Sequence, residues 1–281
     1  MPSKLTKEKH LFVFEGSSAE AQYQASLEKK FLGECFAIKC VFDAEIYQLY
    51  KQMKSDDFET DIVSLLKTRT KENAKILKDF NRDSFAYVYL FFDYDAHSTL
   101  ADDSKIDEML DYFDNETEHG LLLLSYPMVE AIRHFRDIES FKTLTVKCKR
   151  GTTFDNTKCQ YKNDCTKIDD CLKEPHYKAL DAKDNNPKLN NINHFDHQIW
   201  NELIKANIFK ANYILKDQYQ YPDSRIDQKI LFEQQKIKYI NQKCPNVAVL
   251  SSFPMYVLEY FGISKLKEKL CDENNYQKRD V

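Results

Sequence analysis

The chain has 281 residues, 42% hydrophobic and 13% aromatic, which is enough for a sizeable core and excludes an intrinsically disordered protein. Its five glycines form no Gly-rich phosphate loop. The formal net charge is −4, but residues 1–140 carry 17 Lys/Arg against 27 Asp/Glu, and residues 141–281 carry 24 against 18. An acidic half beside a basic half suits a polyanionic substrate, although ordinary surface charge explains it equally well.

The amino-terminal residues contain no signal-peptide core, and no apolar run approaches the roughly 20 residues that a membrane-spanning helix needs. We therefore expect a cytoplasmic protein with no membrane partner, whose cysteines are mostly reduced thiols.

Short apolar runs alternate with helical periodicity in the first half of the chain. The predicted strands are residues 10–14, 35–42, 86–92 and 120–125. The predicted helices are residues 17–30, 44–53, 58–78 and 100–114, and another helix beginning at Tyr126. Alternating strands and helices are typical of an α/β fold, in which helices flank a parallel sheet.

Two aspartates end the apolar run of residues 86–92. A run of this kind predicts a strand buried on both faces, which places Asp93 and Asp95 at its carboxyl end. Strand alternation would direct Asp93, Asp95 and His97 to one side. Adjacent carboxylates repel each other unless a cation lies between them, and Mg²⁺ or Mn²⁺ prefers oxygen ligands. The alternative is a surface turn with two solvated aspartates.

Acidic residues also follow two other predicted strands. Glu15 comes directly after the first, and Glu130 comes one turn into the helix after residues 120–125. If these strands are parallel neighbours, right-handed connections bring their carboxyl ends to one edge of the sheet. We therefore expect the four carboxyl groups to converge within a site on the order of 10 Å across.

The second half of the chain predicts a separate, mainly helical and basic region. We expect a first domain at residues 1–150 and a second at residues 151–281, with a strand and helix near residues 246–262 added to the sheet. Four cysteines lie close in sequence, but their spacing lacks the usual CxxC-like pair, so zinc binding stays open. These cysteines are Cys148, Cys159, Cys165 and Cys171.

The acidic motifs resemble a known family. Glu15-Gly16 after a strand, followed by Asp93-x-Asp95 after another, resembles the TOPRIM domain of topoisomerases, DnaG-type primases and certain nucleases. Residues 15–23 (EGSSAEAQY) and 125–135 (SYPMVEAIRHF) resemble signatures of RloB-like proteins and, more loosely, of TOPRIM nucleases of the overcoming-lysogenization-defect class. The resemblance covers roughly residues 8–150.

This resemblance implies a TOPRIM-like fold and a metal-dependent nuclease acting on DNA or RNA. It also implies a role in bacterial defence against phage, sometimes with an ATPase partner, and it leaves self-association open. Glu15 would be a general base or metal ligand, Asp93 and Asp95 would bind Mg²⁺ or Mn²⁺, and Glu130 would complete a second metal site. Glu20 would assist from its helix as a further metal-binding residue. Two such ions can activate water and stabilise the leaving oxygen of a phosphodiester.

The family's nucleases also use a lysine beyond the last acidic motif. Lys147, after a strand-like stretch at residues 141–146, is the candidate here, and a solvated basic turn is the alternative.

Two rival functions remain open on sequence grounds. A HAD-like phosphatase also carries its nucleophile in a strand-end DxD, but that family usually continues with Gly-Thr, whereas Ala96-His97 follows here. It would also leave Glu15 and Glu130 without a role. A non-catalytic TOPRIM-like module that binds nucleic acid or a protein partner is the other alternative. Whether a nuclease would cut DNA or RNA, as an endonuclease or an exonuclease, is likewise open.

Overall fold

The computed structural model describes residues 8–33, 36–147, 186–242 and 245–271. Within these residues the strands are β1 (Lys9–Phe14), β2 (Phe36–Val41), β3 (Tyr87–Asp93), β4 (Asp114–Asn115), β5 (Gly120–Ser125), β6 (Thr145–Lys147) and β7 (Asn246–Ala248). The first five form a central sheet in the order β2-β1-β3-β5-β4. The pairs β1/β2, β1/β3 and β3/β5 are parallel, and β4 is antiparallel to β5.

Helices flank this sheet. In the described residues they are α1 (Ala19–Leu27), α2 (Ile46–Lys54), α3 (Ile62–Arg69), α4 (Lys71–Ile76), α5 (Asp103–Tyr112), α6 (Ile138–Lys142), α7 (His197–Lys216), α8 (Gln228–Gln235) and α9 (Ser252–Cys271). Single π-helical turns extend α1 and α8 at Glu28–Leu32 and Lys236–Ile240. Short 3₁₀ helices lie at Arg82–Ser84, Val129–His134, Pro187–Leu189 and Ile192–His194. The backbone of α9 is kinked at Gly262, where φ is 68°.

The two apolar runs form the middle of the core, as their composition predicts. Every residue of β5 is buried, and so is every residue of β3 except the first. Their register aligns Asp93 with Ser125, while Phe14 of β1 lies opposite Phe91. The predicted α/β class with a mostly parallel sheet is confirmed, and the architecture is consistent with a Rossmann-like fold.

Three local predictions are wrong. The single helix predicted at residues 58–78 is two helices, because Thr70 adopts an extended conformation and its side chain caps α4 at the backbone N–H of Asn73. No α-helix begins at Tyr126; Pro127 follows a cis peptide bond, and a 3₁₀ helix begins at Val129.

The third wrong prediction is the strand-like stretch at residues 141–146. Phe141 and Lys142 end helix α6, whose cap Asp137 accepts hydrogen bonds from two backbone N–H groups, and the strand β6 begins only at Thr145.

The second half of the chain also differs from the prediction. Strand β7 pairs antiparallel with β6 in a two-stranded sheet and does not join the central sheet. Phe253 of α9 stacks on Phe91 of β3 at 4.9 Å between ring centroids, and both belong to one hydrophobic cluster. The proposed boundary between residues 150 and 151, and the four cysteines of the possible zinc site, lie outside the described residues.

Helix α8 shows how the two oppositely charged halves of the chain meet. Lys236, just beyond α8, forms an ion pair with Asp107 of the acidic helix α5 at 2.5 Å. Lys229 of α8 pairs with Asp111 of the same helix. At this surface the lysines of the basic half therefore neutralise acids of the acidic half. None of the helices in the described ranges is long and apolar enough to cross a membrane.

Candidate active site

Glu15 links the carboxyl ends of the first three strands. Its backbone N–H donates to Phe91 O at 3.0 Å, and its carbonyl oxygen accepts from the N–H of Asp43, just after β2, at 3.0 Å. Its side chain reaches β3, where Oε2 accepts a hydrogen bond from the N–H of Asp93 at 3.0 Å. The Glu15 carboxyl group is therefore fixed beside the end of the central strand.

Asp93, the last residue of β3, lies at the centre of a group of acids. Its side chain is buried, with 6% of the residue exposed. Burial raises its pKa well above the ordinary value, and neighbouring negative charges raise it further. Those charges belong to Glu15, Glu20, Glu130 and Asp95. Acids that are far apart in sequence thus lie close enough to act on one carboxyl group.

The pKa of Glu15 is raised to about 8, mainly by burial. The hydrogen bond from the Asp93 N–H opposes that shift, while the charges of Asp95, Glu20 and Glu45 add to it. Glu45 was not predicted as a site residue. Glu15 follows β1 directly, whereas Glu45 lies further along the loop after β2, immediately before helix α2. The sequence did not identify it, because only the pairing of β2 with β1 brings this acid towards Glu15.

Glu20 comes to the site from the first turn of α1. Its Oε1 accepts a hydrogen bond from the N–H of Gly16 at 3.0 Å. A Cβ at position 16 would lie only 3.3 Å from that oxygen, which is closer than most real Cβ contacts. Glycine after Glu15 therefore allows the buried Glu20 carboxyl group to approach the loop.

The segment after β3 holds Asp95 in a constrained position. Tyr94 is fully buried; its hydroxyl donates to Asp103 Oδ1 at 2.7 Å, and its carbonyl oxygen accepts from Tyr47 at 2.8 Å. Asp95 follows with a φ of 44°, a left-handed conformation that is uncommon for a residue other than glycine. Strand alternation thus ends at Asp93. His97 Nδ1 lies 2.8 Å from Asp95 Oδ1, so this histidine contacts the aspartate.

Glu130 lies in the 3₁₀ helix Val129–His134 rather than in the predicted α-helix. Its charge contributes to the raised pKa of Asp93, so it faces the same group of acids. Its Oε2 atom is buried and has no hydrogen-bond partner among the described residues. Isolated buried carboxylate oxygens are unfavourable, and cation coordination is one way to compensate them.

Lys147 is the last described residue of β6, opposite Asn246, and it is not among the charges that most strongly affect the pKa values of Glu15 and Asp93. A second lysine close to this strand was not predicted. Lys210 of α7 is fully buried, donates to Leu144 O at 2.5 Å and lies over the Phe141 ring at 4.4 Å. Burial lowers the pKa of Lys210 well below its ordinary value.

The donor set of the acidic group fits a hard divalent cation, because carboxylate oxygens are the ligands that Mg²⁺ and Mn²⁺ prefer. The acids do not yet form a complete coordination sphere. Within the described part of the chain, no three His, Cys, Asp or Glu side chains are already arranged as a metal-ligand group. Carboxylates that repel one another spread apart, and a cation between them would favour their approach.

Comparisons with known proteins do not extend this description: no family model, no curated protein and no solved structure matches the chain.

Proposed function

We propose that this protein is a divalent-metal-dependent nuclease of the TOPRIM type, which hydrolyses phosphodiester bonds in DNA or RNA. One observation carries the proposal. Acids that follow adjacent parallel strands, together with Glu20 from a helix, surround the buried Asp93 closely enough to raise its pKa. Gathering several carboxyl groups around a buried one destabilises the fold, and such clusters are concentrated at functional sites.

Each acid has a role in this proposal. Asp93 and Asp95 would hold the first ion, while Glu130, with its unpaired buried oxygen, would hold the second. Glu15 is oriented by the Asp93 N–H and would either accept a proton from the attacking water or bind a metal ion. Glu20 would support the site from α1. Two divalent ions supply Lewis-acid stabilisation of the attacking and leaving oxygens when bound.

The left-handed backbone of Asp95 supports the same proposal. Residues held in sparsely populated backbone conformations persist only where the surrounding contacts enforce them, and they concentrate at functional sites. The bonds of Tyr94 to Asp103 and Tyr47 provide that enforcement.

The remaining parts of the proposal rest on the family resemblance. They are a cytoplasmic role in defence against phage, regulation by an ATPase partner and self-association. Lys147 belongs to this group, as a residue that would stabilise charge in the transition state.

The test incubates the purified protein with plasmid DNA, bulk tRNA and single-stranded oligonucleotides in Mg²⁺, Mn²⁺ or EDTA. The proposal predicts cleavage of at least one polymer with either metal and none in EDTA. Cleavage in EDTA would contradict it. Hydrolysis of p-nitrophenyl phosphate without cleavage of any polymer would favour a phosphatase instead. Binding without cleavage would favour a non-catalytic module.

A further inference from the structure

A group of basic residues on helices α3 and α4 stands out within the acidic half of the chain. Residues 67–79 carry five Lys or Arg against two Asp or Glu, whereas residues 1–140 as a whole carry 17 against 27. The five basic residues are Lys67, Arg69, Lys71, Lys75 and Lys78. Within the described ranges, none of the five forms an ion pair. Their positive charge is therefore not neutralised by the acids of this half.

Several lysines of the basic half are in the opposite situation. Lys229 and Lys236 form ion pairs with acids of helix α5, and Lys238 forms one with Asp217. A polyanion would have to break these pairs before it could bind the same lysines. The net positive charge of the second half of the chain therefore does not by itself locate a surface for a polyanion.

Helix α4 is held against the outer strand of the central sheet, β2. The buried side chain of Asn73 donates to Val41 O at 2.8 Å and accepts from the N–H of Val41 at 3.4 Å. Lys71 and Lys75 lie two residues before and after Asn73, which is about 200° around the helix, so both point away from the sheet. Both are exposed, as is Lys78 in the turn that follows. These three lysines form the basic face of α4.

Arg69 connects this face to the candidate active site. Its Nε donates to Phe42 O at 2.8 Å and its Nη2 to Asp43 O at 3.3 Å, and its guanidinium group lies over the Phe42 ring at 4.5 Å. The N–H of Asp43 in turn donates to the carbonyl oxygen of Glu15 at 3.0 Å. These contacts fix the guanidinium group close to the Glu15 backbone. Carbonyl oxygens orient it but do not cancel its charge.

The group of acids alone would repel a nucleic-acid strand. Four carboxyl groups act on the buried Asp93, and every phosphodiester of the strand adds a further negative charge. Metal ions can compensate the phosphodiester that is cleaved, but the phosphates that flank it need positive charge elsewhere. The basic face of α4, together with Arg69, supplies such charge beside the acids.

We propose that the basic face of α4 and Arg69 bind the sugar-phosphate backbone of a nucleic-acid strand and lead it to the group of acids. The inference deepens the proposed nuclease function and rests on it for the identity of the polyanion. Lys71 and Lys75 are roughly 6 Å apart along the helix axis, and a duplex strand carries a phosphate about every 3.4 Å of its axis, so the two lysines can contact different phosphates. Contacts of this kind hold the strand without reading its sequence.

The test measures binding of fluorescein-labelled oligonucleotides by anisotropy, in EDTA, over a range of NaCl concentrations. Single- and double-stranded DNA and RNA are each used. A triple variant, Lys71→Gln with Lys75→Gln and Lys78→Gln, should bind the preferred polymer at least about tenfold more weakly, because it loses three phosphate contacts. The slope of log affinity against log salt should fall by about two to three.

The matched control removes the same number of charges from the basic half. Lys205 and Lys216 on α7 and Lys265 on α9 are exposed, and their joint replacement by Gln changes the net charge of the protein equally. This control should bind within about twofold of the wild type, as expected for surface substitutions away from the strand. Thermal unfolding of each variant shows whether it folds. If the triple variant does not fold, Lys75→Glu alone replaces it and should also weaken binding.

Arg69 is tested separately, because its bonds to two carbonyl oxygens also support the loop. Arg69→Gln should lower the salt slope by about one, and Arg69→Lys, which keeps the charge, should restore the slope. A purely structural arginine would change the melting temperature and leave the salt slope of the folded protein as it is in the wild type.

The outcomes separate this inference from the proposed function. Wild-type affinity and salt slope in the triple variant, or in Lys75→Glu where that replaces it, would overturn the inference even if the protein cleaves nucleic acid. A wild-type salt slope in folded Arg69→Gln, an equal loss of affinity in the control, or failure of the wild type to bind any polymer would overturn it as well. Binding that depends on these basic residues in a protein that cleaves nothing would support the inference and refute the nuclease.

Discussion

Replacing Glu15 by Gln should stabilise the metal-free protein at alkaline pH. In the folded protein the pKa of Glu15 is raised from 4.5 to about 8, mainly because the side chain is buried. Between these two values the folded state holds a proton that the unfolded state has lost. The free energy of unfolding of the wild type should therefore fall as the pH rises from about 4.5 through 8.

The structure sets the magnitude. At about 1.4 kcal/mol for each pKa unit, the ionisation of Glu15 can lower the free energy of unfolding by at most roughly 4–5 kcal/mol. Glu15 keeps some contact with solvent, which reduces this cost, and glutamine keeps an oxygen that can accept the bond from the Asp93 N–H. We therefore expect a gain of about 1–3 kcal/mol, at roughly 2–4 °C of melting temperature for each kcal/mol.

The assay is thermal unfolding in EDTA, followed by circular dichroism at pH 5 and at pH 8.5. Glu15→Gln should match the wild type at pH 5 and unfold at a higher temperature at pH 8.5. Glu118→Gln, at an exposed position, is the matched control and should leave both midpoints unchanged. A Glu15→Gln protein that is less stable than the wild type at pH 8.5, or that keeps the wild-type pH dependence, would refute the reasoning.

Three further predictions concern other residues. Arg225→Met should lower the free energy of unfolding, measured by urea titration, by about 1–3 kcal/mol, because it removes the ion-pair partner of the buried Glu259 side chain at 2.6 Å. Adding Glu259→Gln to this variant should recover most of the lost free energy. Burial lowers the pKa of Lys210, so its charged form is unfavourable only in the folded state, and the melting temperature of the wild type should rise as the pH rises toward 10.5. Lys210→Met should raise the melting temperature at pH 7 and make this rise with pH less steep. If the melting temperature of Lys210→Met still rises steeply with pH, Lys210 is not the source of that pH dependence. Lys147→Ala should reduce cleavage of the preferred polymer less than Asp93→Asn does, because it removes one contact to the transition state and leaves the acids in place. Equal losses in cleavage assays would contradict this order.

The central strands and the position of the acids could be predicted because they depend on local composition. Uninterrupted apolar runs indicated β3 and β5, and Asp93 ends the first of them. Parallel topology then places Glu15 at the same sheet edge as Asp93. Glu45 could not be assigned in this way, since its effect on Glu15 depends on β2 being the neighbour of β1.

The stretch after β5 was mispredicted because a distant residue determines it. Tyr126 exchanges two backbone hydrogen bonds with Leu250, at 2.8 and 3.0 Å, and this pairing keeps Tyr126 extended where a helix with Pro127 in its first turn was predicted. Strand β6 likewise depends on a distant partner, because Thr145, Val146 and Lys147 pair with Ala248, Val247 and Asn246 of β7. Ion pairs such as Lys236 with Asp107 depend on which helices meet, which the charges of the two halves cannot show.

Cleavage by Asp93→Asn tests the central claim most directly. Asparagine keeps the shape of the side chain and removes the charge at the centre of the acidic group, so the fold should remain intact. At saturating Mg²⁺ and at saturating Mn²⁺, the variant should show no turnover of the polymer that the wild type cleaves, while its affinity for that polymer in EDTA is retained. Cleavage by Asp93→Asn at a rate close to that of the wild type would contradict a metal-dependent nuclease centred on Asp93.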